Sequence, residues 1–213
     1  MPKSHFSHVE SWVFDMDHTL YPADNSLFSQ IEERMSAYFK KLTGLPAEHA
    51  DILRLKYWQD YGASVAGLVA NHDVDAAEFL HEVHQIDFSV LSPNMTLNQA
   101  ISALPGRKIV FTNGPKDYAH RVLAALEMTD LFDGVFGTEH CDLIPKPQRR
   151  AYEIIFNTAM IDTGTSAMFE DSAHNLIVPH EMGMKTVLVH GQSEDTHIHH
   201  HTSCLPSFLQ SLR

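Results

Sequence analysis

Short runs of apolar and β-branched residues recur along the chain at Trp12-Val13-Phe14, Lys108-Ile109-Val110-Phe111, Gly134-Val135-Phe136-Gly137, Ala167-Met168-Phe169 and Lys185-Thr186-Val187-Leu188-Val189. Each predicts a strand. Because the runs are almost continuously apolar rather than alternating, they predict strands covered on both faces. Between the later runs the apolar positions shift to helical spacing: Leu97, Ala100, Ile101, Leu104; then Ala119, Val122, Leu123, Leu126; then Tyr152, Ile155, Phe156, Ala159. Strand followed by helix, repeated, predicts an α/β protein with a doubly wound parallel sheet and a Rossmann-like core. Such sheets bind ligands at the C-terminal ends of their strands.

The alternation is interrupted after the first strand. From Tyr21-Pro22 to Ser92-Pro93 the pattern is helical only. Ile31, Met35, Phe39 and Leu42 follow a Ser29-to-Glu32 capping box, another helix is expected to begin near Pro46, and Phe79, Leu80 and Val83 follow an Asp75-to-Glu78 box. This stretch of roughly seventy residues far exceeds the about 2–6 residues of an ordinary α/β loop. The expected organisation is a catalytic core of residues 1–21 and 93–213, with residues 22–92 inserted as an α-helical cap.

The ends of the strands carry the candidate chemistry. The first strand runs into Asp15-Met16-Asp17-His18-Thr19, the second into Thr112-Asn113-Gly114, the fourth into Glu170-Asp171-Ser172, and Lys146 lies between Pro145 and Pro147. Each has an ordinary explanation by itself, as a turn, a helix cap or a solvated lysine. Together they say more. Right-handed crossovers bring strands one, two and four side by side with their C-terminal ends on one edge, so Asp15, Asp17, Thr112, Lys146 and Asp171 are expected to converge. Carboxylates with one hydroxyl and one lysine form an oxygen-rich site for Mg²⁺ of the kind that handles phosphoryl transfer.

Phe14-Asp15-Met16-Asp17-His18-Thr19-Leu20-Tyr21, Phe111-Thr112-Asn113, Lys146-Pro147 and Phe169-Glu170-Asp171-Ser172 resemble, in order and spacing, the four motifs of the haloacid dehalogenase-like hydrolase superfamily. Leu55-Lys56-Tyr57-Trp58-Gln59-Asp60-Tyr61-Gly62, Gly67-Leu68, His72-Asp73-Val74-Asp75 and Arg121-Val122-Leu123 further resemble its pyrimidine 5'-nucleotidase subgroup. The resemblance implies that Asp15 is the nucleophile, forming an aspartyl-phosphate, and that Asp17 is the general acid and base. It also implies that Thr112, Asn113 and Lys146 hold the phosphoryl group, with Mg²⁺ bound by the Asp15 carboxylate, the Asp17 main-chain carbonyl and Asp171. Two positions depart from the common pattern. His18 stands where Asn or Gly is frequent, outside the chemistry, and Glu170-Asp171 replaces an Asp-Asp pair, leaving the metal role of Glu170 open.

The implied substrate is a small phosphomonoester, a pyrimidine nucleoside 5'-monophosphate. Sugar phosphatases and phosphomutases share the core residues and are the alternative. A receiver-like phospho-signalling domain is the rival from another class. It is opposed by the presence of Asp15 and Asp17 on one strand and by the length of the insertion.

Composition narrows the partners. With a net charge of −12 the chain repels nucleic-acid backbones and anionic lipid, so any anionic substrate must meet a local cation, which Lys146 supplies. No apolar run approaches the ~18 residues of a membrane span, and Cys141 and Cys204 form no disulfide or zinc pattern, so a cytoplasmic protein is expected. Aromatic residues Tyr57, Trp58 and Tyr61 are read as helix core and His197-Ile198-His199-His200-His201 as a solvated loop.

Overall fold

The computed structural model describes residues 2–23 and 26–212; residues 1 and 213, and residues 24 and 25 of the predicted insertion, lie outside that description. Backbone contacts divide the chain into two compact units, Met1–Pro22 with Leu91–Arg213, and Ala23–Val90.

The first unit is a six-stranded parallel sheet flanked by helices, the α/β class expected. After a short helix α1 (Pro2–His5) come β1 (Ser11–Phe14), α6 (Met95–Ser102), β2 (Arg107–Phe111), α7 (Lys116–Ala125), β3 (Gly134–Phe136), α8 (Arg149–Thr158), β4 (Ser166–Glu170), α9 (Ile177–Glu181), β5 (Lys185–Val189), β6 (His200–Thr202) and α10 (Leu205–Gln210). The four helices between β1 and α6 belong to the second unit. The sheet order is β3-β2-β1-β4-β5-β6, with Val13 opposite both Ile109 and Met168.

Side-chain alternation along the strands builds two cores. Val13, Ile109, Phe111 and Met168 pack with Tyr152, Ile155 and Phe156 of α8. On the other face Phe14 stacks on Phe169 at 4.8 Å, and Phe169 meets Phe208 of α10 edge-on at 6.2 Å. β1, in the middle, is buried along its whole length, which accounts for its unbroken apolar run.

The second unit consists of α2 (Leu27–Thr43), α3 (Ala47–Tyr61), α4 (Ser64–Asn71) and α5 (Ala76–Val83). Phe39 is its centre, fully buried against Tyr57 at 5.9 Å and Phe79 at 6.5 Å between ring centroids. α4 approaches α3 so closely that a Cβ on Gly67 would stand 2.4 Å from the Tyr57 ring, so glycine is needed there.

Several local expectations need correction. α2 begins at Leu27 after Ser26, not at a Ser29 box, because Ser29 lies within the first turn and its hydroxyl donates back to the Ser26 carbonyl. The Asp75 cap is present, its carboxylate accepting from the amides of Ala77 and Glu78. The histidine stretch is not a plain loop: His200–Thr202 pairs with Val187–Val189 as edge strand β6. Of the aromatic trio only Tyr57 is core, while Trp58 is 58% and Tyr61 38% exposed.

Candidate active site

The β1 ladder ends as the Asp15 amide donates to Phe169 of β4 at 2.9 Å, and the chain then turns, Thr19 and Leu20 both donating to the Met16 carbonyl. His18 takes a left-handed conformation in this turn, at φ 59°. Met16 is fully buried, and the alternation of an extended chain sets Asp15 and Asp17 on the side opposite to it.

Lys146 lies at the centre of the cluster. Its Nζ donates to Asp15 Oδ1 at 2.6 Å, Glu170 Oε2 at 2.7 Å and the Phe111 carbonyl at 3.0 Å, which uses every donor of the ammonium group. Lys146 and its two ionisable partners, Asp15 and Glu170, are all buried, at 5% exposure or less. Burial, then the charge of Glu170, raises the Asp15 carboxyl to about 7. Burial likewise raises Glu170, against the pull of Lys146, and raises Asp171, with the Asp15 charge adding to it. Burial works against the Lys146 ammonium, but the neighbouring carboxylates of Asp15 and Glu170 outweigh it and the group is held protonated.

Other predicted residues meet this cluster in distinct ways. Asn113 clamps the Lys146 main chain, its Oδ1 accepting from the Lys146 amide at 2.8 Å and its Nδ2 donating to the Lys146 carbonyl at 3.1 Å. The Thr112 hydroxyl accepts from the Gly114 amide at 3.0 Å and donates to Asp17 Oδ2 at 3.3 Å. Asp17 Oδ1 accepts from the phenols of Tyr21 and Tyr118, the latter at 2.6 Å. Asp171 lies at 3.8 Å from the His18 ring nitrogen.

Asp15, Glu170 and Asp171 each offer a carboxylate oxygen, all within 4.8 Å of one another. Against the single ammonium of Lys146 they carry a surplus of negative charge, and hard oxygen donors of this kind suit Mg²⁺. The set fits a divalent cation. Glu170 is thus part of the carboxylate cluster, whereas the Asp17 side chain turns to the tyrosines.

Thr19 and Tyr21 stand in the first motif without a role assigned from the sequence, and Tyr118 was not singled out there. Thr19 donates to Asp15 Oδ2 at 3.0 Å, and Thr19 and Tyr21 each stand four residues beyond the aspartate they touch, a spacing that a turn after the strand makes visible. Tyr118 carries no such local signal.

A family model for haloacid dehalogenase-like hydrolase matches residues 11–183. Over 199 residues the chain is 29% identical to phosphate metabolism protein 8 of Saccharomyces cerevisiae, covering 83% of this chain and 60% of that protein, so it spans about three fifths of that relative's length. Among solved structures, the HAD phosphatase of Thermococcus onnurineus superposes with a TM-score of 0.66 at 17% identity, over 96% of this chain and 98% of the other. The L-2-haloacid dehalogenase of Xanthobacter autotrophicus does so with 0.55 at 15% identity, over 87% and 79%. At such identities the likeness is one of fold. None of the helices among the described residues is long and apolar enough to cross a membrane.

Proposed function

This chain belongs to the haloacid dehalogenase-like hydrolase family, and we propose that its reaction is phosphomonoester hydrolysis through an aspartyl-phosphate on Asp15. The observation that carries the reading is the buried Lys146 ammonium joined to Asp15, with Asp17 two residues on and tied to Thr112. An Asp15 oxygen attacks phosphorus as the bond to the leaving oxygen breaks, and Asp17 gives that oxygen its proton. A water then attacks the same phosphorus, Asp17 takes its proton, and the bond to Asp15 breaks to release phosphate. Lys146 and Thr112 steady the phosphoryl oxygens. Asp15, Asp171 and the Asp17 carbonyl, with Glu170 beside them, would hold a divalent cation, which would supply the positive charge that lets an anionic nucleophile meet an anionic phosphate.

The finer reading is a pyrimidine nucleoside 5'-monophosphate as substrate, with residues 22–92 acting as the cap that reads the leaving group. Its support is the resemblance of the Tyr57-to-Asp75 segment, together with the exposed rings of Trp58 and Tyr61 in the helical unit. The panel that tests both levels is UMP, CMP, AMP and hexose phosphates with and without Mg²⁺. Phosphate release that needs the metal and favours UMP and CMP is the expected result. Full activity after exhaustive chelation overturns the metal-assisted phosphatase, and a strong preference for a hexose phosphate overturns only the nucleotidase.

A further inference from the structure

Asp17 is gripped at one end. Tyr21 and Tyr118 are 3% and 2% exposed, and both phenols donate to the same carboxylate oxygen, Oδ1. Their own oxygens lie 3.2 Å apart. Each phenol has a single proton, and a carboxylate is a stronger acceptor than a second phenol, so both protons belong on Oδ1.

Oδ2 is the less engaged oxygen, approached by the Thr112 hydroxyl at 3.3 Å, longer than a strong charge-assisted bond. An oxygen that already accepts two phenol protons has no room to carry a third. The proton that passes to and from a substrate must therefore sit on Oδ2.

We infer that Tyr118 and Tyr21 are positioning residues that anchor Asp17 by Oδ1 and aim Oδ2 at the reacting oxygen. This rests on the reading of Asp17 as general acid and base. In the first half-reaction the Oδ2 proton moves to the leaving oxygen as its bond to phosphorus breaks; in the second, Oδ2 takes a proton from the attacking water. Gly114 belongs to the same device. A Cβ there would stand 2.7 Å and 3.0 Å from Cδ1 and Cε1 of the Tyr118 ring, which is packed too deeply to move aside freely. Glycine after Thr112-Asn113 thus lets the ring come close enough for its phenol to reach Asp17.

The test uses two substrates that differ in their need for a proton. UMP must release the 5'-oxygen of uridine, a poor alkoxide leaving group that requires one, whereas the p-nitrophenolate of p-nitrophenyl phosphate leaves without it. Asp17→Asn is expected to lower kcat on UMP by about 100-fold or more, and much less for p-nitrophenyl phosphate under conditions where the first half-reaction limits the rate. Tyr118→Phe keeps the ring and removes only the hydroxyl. It is expected to lower kcat on UMP by about tenfold with KM little changed, and to spare p-nitrophenyl phosphate. Tyr21→Phe should repeat that pattern, Gly114→Ala should reproduce it with both phenols present, and Tyr118→Phe added to Asp17→Asn should cost nothing more.

If Asp17→Asn shows the leaving-group pattern but the two tyrosine variants, folded as judged by circular dichroism, lower both substrates equally or neither, the positioning role is wrong while the assignment of Asp17 stands. If Asp17→Asn itself leaves the rate on UMP unchanged, the underlying reading fails and the positioning role with it.

Discussion

Asp15, Lys146 and Glu170 are buried in the α/β unit at 5%, 3% and 1% exposure, whereas the helical unit buries no Asp, Glu, Lys or Arg among its described residues. The helical unit instead leaves apolar side chains in the open, with Ile52 57%, Leu55 47% and Trp58 58% exposed along α3. Charge taken out of water is costly unless every partner is present, so the buried triad ties its members to one geometry. Apolar surface left in water ties nothing down. The α/β unit thus spends stability on a preset electrostatic arrangement, while the helical unit is held by ordinary aromatic packing and keeps an uncommitted face.

The sharpest way to break the contrast is Lys146→Met. It leaves Asp15 and Glu170 buried without a cation, and removing one partner of such a pair costs about 3–5 kcal/mol. Denaturant unfolding of the metal-free protein should show that loss together with loss of phosphatase turnover. By contrast, Lys56→Met, which removes the exposed α3 pair with Asp60, should leave the midpoint unchanged. Equal effects from the two lysines would erase the distinction.

In the helical unit the matching experiment is Phe39→Ala. Its fully buried ring packs against Tyr57 and Phe79, and large-to-small changes at such sites cost ~3–5 kcal/mol through lost burial and the cavity left behind. Calorimetry should show the melting temperature falling. A loss below about 1 kcal/mol would mean that this unit is looser than its packing indicates.

A smaller effect is expected from pH. The Asp15 carboxyl is raised from 3.8 to about 7, so between those values the folded protein holds a proton that the unfolded chain has lost. Stability from this group is therefore full below pH 3.8 and falls as pH rises towards 7. Asp15→Asn removes the titration. Without metal it should match or exceed wild type in stability near pH 8, the gap closing towards pH 4, while turnover is abolished. A wild-type protein that gains stability over the variant as pH rises would contradict the buried-charge account. Added Mg²⁺ should stabilise wild type more than the variant.

A small stability change is expected of Trp58→Ala. An exposed ring should alter the unfolding midpoint by no more than about 0.5 kcal/mol. If the cap reading holds, the ratio of kcat/KM between UMP and AMP should shift by several-fold, a difference of about 1 kcal/mol. An unchanged ratio would remove Trp58 from leaving-group recognition.

Much of this molecule was legible along the chain because burial leaves a local imprint. Strands covered on both faces appear as unbroken apolar runs, as in Trp12-Val13-Phe14 and Val187-Leu188-Val189, and α8 shows its buried face as Tyr152, Ile155 and Phe156. The convergence of Asp15, Thr112 and the residues after β4 followed from strand order alone, since parallel neighbours share an edge. Other features had no local imprint. His200–Thr202 is too short and too exposed at the sheet edge to show a pattern, so its pairing with β5 emerges only when that strand is in place. Glu170 could be read at the end of β4, but its bond to Lys146 depends on where the loop after β3 returns. The contact of Tyr118 with Asp17 joins residues 101 positions apart, and it exists because β1 and β2 pair in one register and Gly114 lets α7 begin close to the site. Periodicity records which side of an element faces the core; which side chains meet across elements is decided by register and close approach, and those exist only once the sheet has formed.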